Sequence, residues 1–92
     1  MWLSLFLCFL IFYVTVQMRI VTWNCNGALR RKFESLISLK ADIYVVQECE
    51  NPNVCRDEGY KNWAANHLWI GGNKNKGLGI FCSKGITLTK NI

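Results

Sequence analysis

Histidine occurs once, at His67, and no aspartate follows Asp57, so these residues hold no late aspartate–histidine pair. Cysteine is present, as Cys8, Cys25, Cys49, Cys55 and Cys82, but without C-x-x-C spacing and without a histidine cluster. That pattern argues against a zinc site, and an odd number argues against a closed disulfide framework. Cys25, Cys49 and Cys82 fall in or beside apolar runs, where a free thiol acts as a small hydrophobe. A reducing, cytoplasmic location is the expectation. No linker, repeat or low-complexity stretch divides the chain, and 92 residues make one domain at most, with limited burial.

Acidic residues are few: six against eleven Lys and Arg, a net charge of +5. A basic balance suits a polyanionic partner such as DNA, RNA or a phosphoester headgroup. Local readings are plainer. Arg30, Arg31 and Lys32 read as the solvated face of a helix, and Lys74-Asn75-Lys76 as a hairpin turn or a phosphate contact. A basic nucleic-acid-binding module would interleave exposed aromatics with Lys and Arg. Here the aromatics fall mostly in apolar runs, and Trp63 and Trp69 read as packing residues.

Charge is missing altogether before Arg19. Residues 1–16 would reach about 24 Å as a helix, short of a hydrocarbon core of about 30 Å. They have no basic start and no small-x-small cleavage site, which makes a poor signal peptide. Residues 1–17 then read as an apolar leader without a pattern matching a sheet. It is an upstream extension of a domain that starts at Met18, a membrane anchor, or a secretion signal.

What is present is a strand–helix–strand unit. Arg19 to Trp23 is β-branched and aromatic, and it stops at Asn24-Cys25-Asn26-Gly27. Leu29, Phe33, Leu36 and Ile37 recur at helical spacing. Ile43 to Val46 is uniformly apolar, as in a strand covered on both faces, and ends at Gln47-Glu48. Short links imply a right-handed parallel crossover, with both strands ending on one sheet edge. Asn24, Asn26 and Glu48 then converge where α/β sheets bind ligands. These are hard oxygen ligands of the kind Mg²⁺ prefers, one or two carboxylates completed by substrate phosphates.

The Trp-Asn-x-Asn-Gly run, the strand ending Gln-Glu and the later Gly77-Leu78-Gly79-Ile80-Phe81-Cys82-Ser83 resemble the endonuclease/exonuclease/phosphatase superfamily, including exonuclease III-like and DNase I-like enzymes. The resemblance covers roughly Met18 to Ser83. It implies an α/β fold, the N-terminal part of a four-layered DNase I-like sandwich, over residues 18–92. It further implies a metal-dependent phosphoesterase. Glu48 would ligate Mg²⁺ or Mn²⁺, Asn26 would lie beside the metal, and Asn24 would touch the scissile phosphate. The family's Asp-x-Asn motif and terminal Asp-His pair are absent, so this piece alone is expected to be inactive. The competing reading is a non-catalytic truncated or membrane-anchored small protein. His67 reads as structural. Strands are expected near 19–24, 42–47, 67–70, 77–83 and 86–90, with a helix near 28–39 and a turn at Gly71-Gly72.

Overall fold

The computed structural model describes residues 10–13, 18–83 and 85–89. It is a mixed α/β domain with one sheet and two short helices. The strands are β1 (Leu10–Tyr13), β2 (Arg19–Asn24), β3 (Ile43–Cys49), β4 (His67–Asn73) and β5 (Lys76–Cys82), in the order β1-β2-β3-β5-β4. The β2 and β3 strands pair in parallel, with Asn24 opposite Gln47, as the crossover requires. All other neighbours are antiparallel.

Four expectations need correction. The helix near 28–39 is broken into a 3-10 turn (Leu29–Arg31) and the five-residue α1 (Phe33–Ile37). Ala28 is left-handed at φ 54° and Lys32 sits at φ −124°, neither of which continues a helix. The turn is not at Gly71-Gly72, which belong to β4, but at Lys74-Asn75. No strand forms over 86–89, where Asn66 instead donates to the Ile86 carbonyl at 2.7 Å. Leu10–Tyr13, read as part of a leader without a match to the sheet, pairs with β2 as β1. The rest of that leader lies outside the described residues. Among the described residues, no helix is long and apolar enough to cross a membrane.

The core lies on one face of the sheet. Val21, Trp23, Tyr44, Val46 and Phe81 alternate along their strands and meet Leu29, Leu36 and Tyr60. Tyr60 belongs to α2 (Glu58–Trp63), whose N-terminus is capped by Asp57 accepting from the Tyr60 N–H at 2.9 Å. Trp63 and Phe81 stack with centroids 4.7 Å apart. Full burial of such a large side chain is worth about 1.5–3 kcal/mol. Gly77 is required by packing: a Cβ there would collide with the Trp69 ring. The opposite face, with Ile20, Ile43, Val45 and Ile80, is half-buried.

Candidate functional site

At the C-terminal edge of β2 and β3 the chain continues to pair after the strands end. The Cys25 N–H donates to the Gln47 carbonyl at 3.1 Å and the Gly27 N–H to the Glu48 carbonyl at 2.9 Å. The Cys25 thiol also donates to the Glu48 carbonyl, at 3.3 Å. The loop 25–27 is thereby fastened against the end of β3. A bulge between Val46 and Cys49 re-aims β3 at this point.

Backbone strain concentrates here. Glu48 has φ 60°, Asn26 φ 57° and Ala28 φ 54°. Asn tolerates the left-handed region because its short polar side chain bonds locally, whereas Glu and Ala rarely visit it. Strain of this kind, of order 1–3 kcal/mol per residue, clusters at ligand sites and persists where surroundings over-determine it.

The side chains converge as the parallel crossover dictates. Asn24 Nδ2 donates to Glu48 Oε2 at 2.9 Å. Asn24 Oδ1 accepts from the Asn26 N–H at 3.0 Å, which fixes the amide with its N–H₂ toward the carboxylate. Lys76 Nζ, arriving from β5, lies 3.8 Å from Glu48 Oε1. The Glu48 side chain keeps 40% of its surface exposed and Lys76 58%, so this ion pair contributes little to stability. Asn24 and Asn26 are exposed as well. The structure therefore brings Asn24, Asn26 and Glu48 to one edge, with the three in a chain of hydrogen bonds through Asn24.

Behind this edge is a buried carboxylate that sequence reasoning missed. Glu50 accepts from the Leu29 N–H at 2.8 Å and the Arg30 N–H at 3.3 Å, and from the Arg30 guanidinium at 2.9 Å. The hydrogen bond and charge of Glu50 together hold the Arg30 pKa above its ordinary value. The Glu50 carbonyl accepts from the Tyr60 hydroxyl at 2.6 Å. Burial first, then the neighbouring Cys49, pushes that phenol far above its ordinary pKa, so it stays a donor. Trp69 Nε1 donates to the Cys49 carbonyl at 3.0 Å. The segment from Glu48 to Glu50 is thus gripped from both flanks. The available signal was a second carboxylate two residues after the first, followed by an aromatic on the next amphipathic segment.

Basic residues take roles the solvated-face reading did not foresee. Lys32 Nζ donates to the Cys25 carbonyl at 2.6 Å, and Arg30 pairs with Glu50, while Arg31 is exposed. His67 lies at the opposite end of the sheet from Glu48, opposite Phe81, with Nδ1 on the Ala64 carbonyl. Among the described residues, no cluster of three or more His, Cys, Asp or Glu forms a metal-binding group. Compared with known proteins, the chain matches no family model, no curated protein and no solved structure.

Proposed function

We propose that this chain carries the metal- and phosphate-binding wall of a divalent-metal-dependent phosphoesterase acting on phosphodiester or phosphomonoester bonds. The observation that carries the reading is the Asn24–Glu48 contact at 2.9 Å across two parallel strand ends, beside a strained, half-exposed backbone. The finer fold assignment goes with it: the sheet is the first part of a four-layered α/β sandwich of the exonuclease III-like and DNase I-like kind.

The donor set suits Mg²⁺ or Mn²⁺. It is one carboxylate with amide oxygens nearby, all hard ligands, with room on the half-exposed Glu48 for water and a substrate phosphate to complete the shell. Glu48 would hold the ion and Asn26 would stand beside it. When bound, such an ion polarises phosphoryl oxygens and stabilises a leaving oxyanion.

The chain's own groups supply binding and orientation. Asn24 Nδ2 is a donor already aimed at the site, and it turns from Glu48 to a phosphate oxygen with its amide plane held by the Asn26 N–H. Lys76 adds a cation that favours an anionic ligand at the same edge. The Glu50 carboxylate is committed to Leu29 and Arg30 and takes no part in proton transfer. A water-activating base is not among these groups, so the chain binds rather than turns over.

Mn²⁺ titration of ¹⁵N-labelled chain tests this directly. Paramagnetic broadening is expected first at Asn24, Asn26, Gly27 and Glu48, strengthened by a dialkyl phosphodiester and lost in Glu48→Gln. Broadening elsewhere, or an unchanged pattern in Glu48→Gln, removes the reading.

A further inference from the structure

Beyond the Glu48 edge lies a second, separate concavity of about 270 Å³, bounded by Arg30, Arg56 and Lys74 with Asn51 and Asn75. Glu50 also lines it, but that carboxylate is 5% exposed and already answered by a guanidinium and two backbone N–H groups. The cleft therefore carries two cations, Arg56 and Lys74, whose charge no carboxylate in it answers, and both are exposed. Arg30 uses one N–H on Glu50 and keeps others of its five.

The cleft is built rather than incidental. The Asn51 N–H donates to the Lys74 carbonyl at 2.8 Å, tying the β4–β5 hairpin to the segment after β3. Asn51 and Asn75 each sit in a tight turn, with Asn53 N–H on Asn51 Oδ1 and Asn75 N–H on Asn73 Oδ1, both at 2.9 Å. Glu50 on its wall is two residues from Glu48, at most about 7 Å along the backbone.

We propose that this cleft binds a second phosphate of the same substrate, the next one along a phosphodiester chain, which makes the substrate a nucleic-acid strand. The proposal rests on the reading of Glu48 and Asn24 as the site of the first phosphate. Arg30 and Arg56 supply forked N–H donors and Lys74 a point charge, the combination that grips phosphate oxygens. A single phosphate at Glu48 would leave these cations idle. Two adjacent phosphates occupy both places and fix the strand's register.

The test uses the full 92-residue chain in EDTA, with anisotropy of a labelled single-stranded oligothymidylate. Affinity is expected to fall with salt. In Arg56→Ala/Lys74→Ala, affinity is expected to drop roughly tenfold and the log–log salt slope to become shallower by about 1.4, about 0.7 per lost contact. Lys61→Ala, an exposed cation on α2, is expected to leave both unchanged. Thymidine monophosphate is expected not to displace the strand. Unchanged affinity and slope in the double variant, or equal loss in Lys61→Ala, would overturn the proposal. So would displacement by the mononucleotide or by tripolyphosphate at matched phosphate concentration. Glu48→Gln is expected to bind the strand as well as the parent does without metal. A failed Mn²⁺ titration would thus remove the metal reading while leaving this measurement to stand or fall alone.

Discussion

Two glutamates leave the end of β3 two residues apart, one toward solvent and one into the interior. Glu48 keeps 40% of its side chain exposed and touches Asn24 and Lys76. Glu50 is 5% exposed and every printed contact of its carboxylate goes to Leu29 or Arg30. The same residue type is thus a structural cap in one place and a free ligand in the other. A carboxylate buried against backbone N–H groups has its charge fully used, because leaving those donors unpaired would cost their desolvation. A carboxylate held at a solvent edge by one amide keeps lone pairs for an incoming ligand.

The largest expected effect separates the two directly. Glu50→Ala strips acceptors from the buried Leu29 N–H and from Arg30, and is expected to cost about 2–3 kcal/mol in urea unfolding. Glu48→Ala is expected to stay within about 0.5 kcal/mol. Equal losses in the two variants would break the distinction between cap and ligand.

Tyr60→Phe sharpens it from the other side of the interior. The hydroxyl that reaches the Glu50 carbonyl at 2.6 Å is lost while the ring packing stays. A loss of about 1–1.5 kcal/mol is expected, measured the same way. A neutral result would mean that Glu50 is held by its carboxylate alone.

Glu48→Gly is expected to have a smaller effect of opposite sign. Glu48 sits at φ 60°, where a glycine carries no Cβ penalty. A gain of up to about 1 kcal/mol is expected, offset in part by glycine's greater freedom when unfolded. Mn²⁺ broadening at Asn24 and Asn26 should vanish in the same variant. Stability rising as binding disappears is the signature of strain kept for function.

Much of this edge was legible in the sequence because parallel pairing follows from pattern. The β-branched run at Arg19–Asn24 and the apolar run at Ile43–Cys49 have no other partner geometry with so short a crossover. Asn24 and Glu48 then had to meet. The helix was over-read because Leu29, Phe33 and Leu36 are core residues at helical spacing, but spacing does not report the left-handed Ala28 or Lys32 turning back to Cys25. The α2 helix escaped because it is six residues long and contains Gly59, although Asp57 before it was a readable cap. Gly71-Gly72 looked like a turn, yet Gly71 has a packing reason: a Cβ there would press on the Trp69 ring. Glu50 was hidden because nothing local says which of two nearby carboxylates goes inside. That depends on a bulge at Glu48, and bulges come from tertiary context.

The smallest effect near neutrality concerns the floor under both glutamates. Cys49 is fully buried, and desolvation, with Cys25 adding to it, pushes its thiol up from 9.0 to about 12. The Cys25 thiol is also raised, again mainly by burial. An unfolded Cys49 releases its proton near pH 9, while the folded one keeps it to about 12. Between those values the unfolded state binds fewer protons, so raising the pH favours unfolding. The contribution is fully present below about pH 9 and is lost as pH rises toward about 12. Urea midpoints measured from pH 7 to 10 should therefore be flat and then decline. The decline should be weaker in Cys25→Ala/Cys49→Ala, at a lower baseline because two buried thiols are gone. Both thiols should also stay unreactive to a disulfide reagent at pH 8 until urea is added. Rapid labelling in the folded state would mean a thiolate beneath Glu48, adding a negative neighbour to the one carboxylate assigned to the ligand. It would erase the contrast between an uncharged floor and a single charged rim.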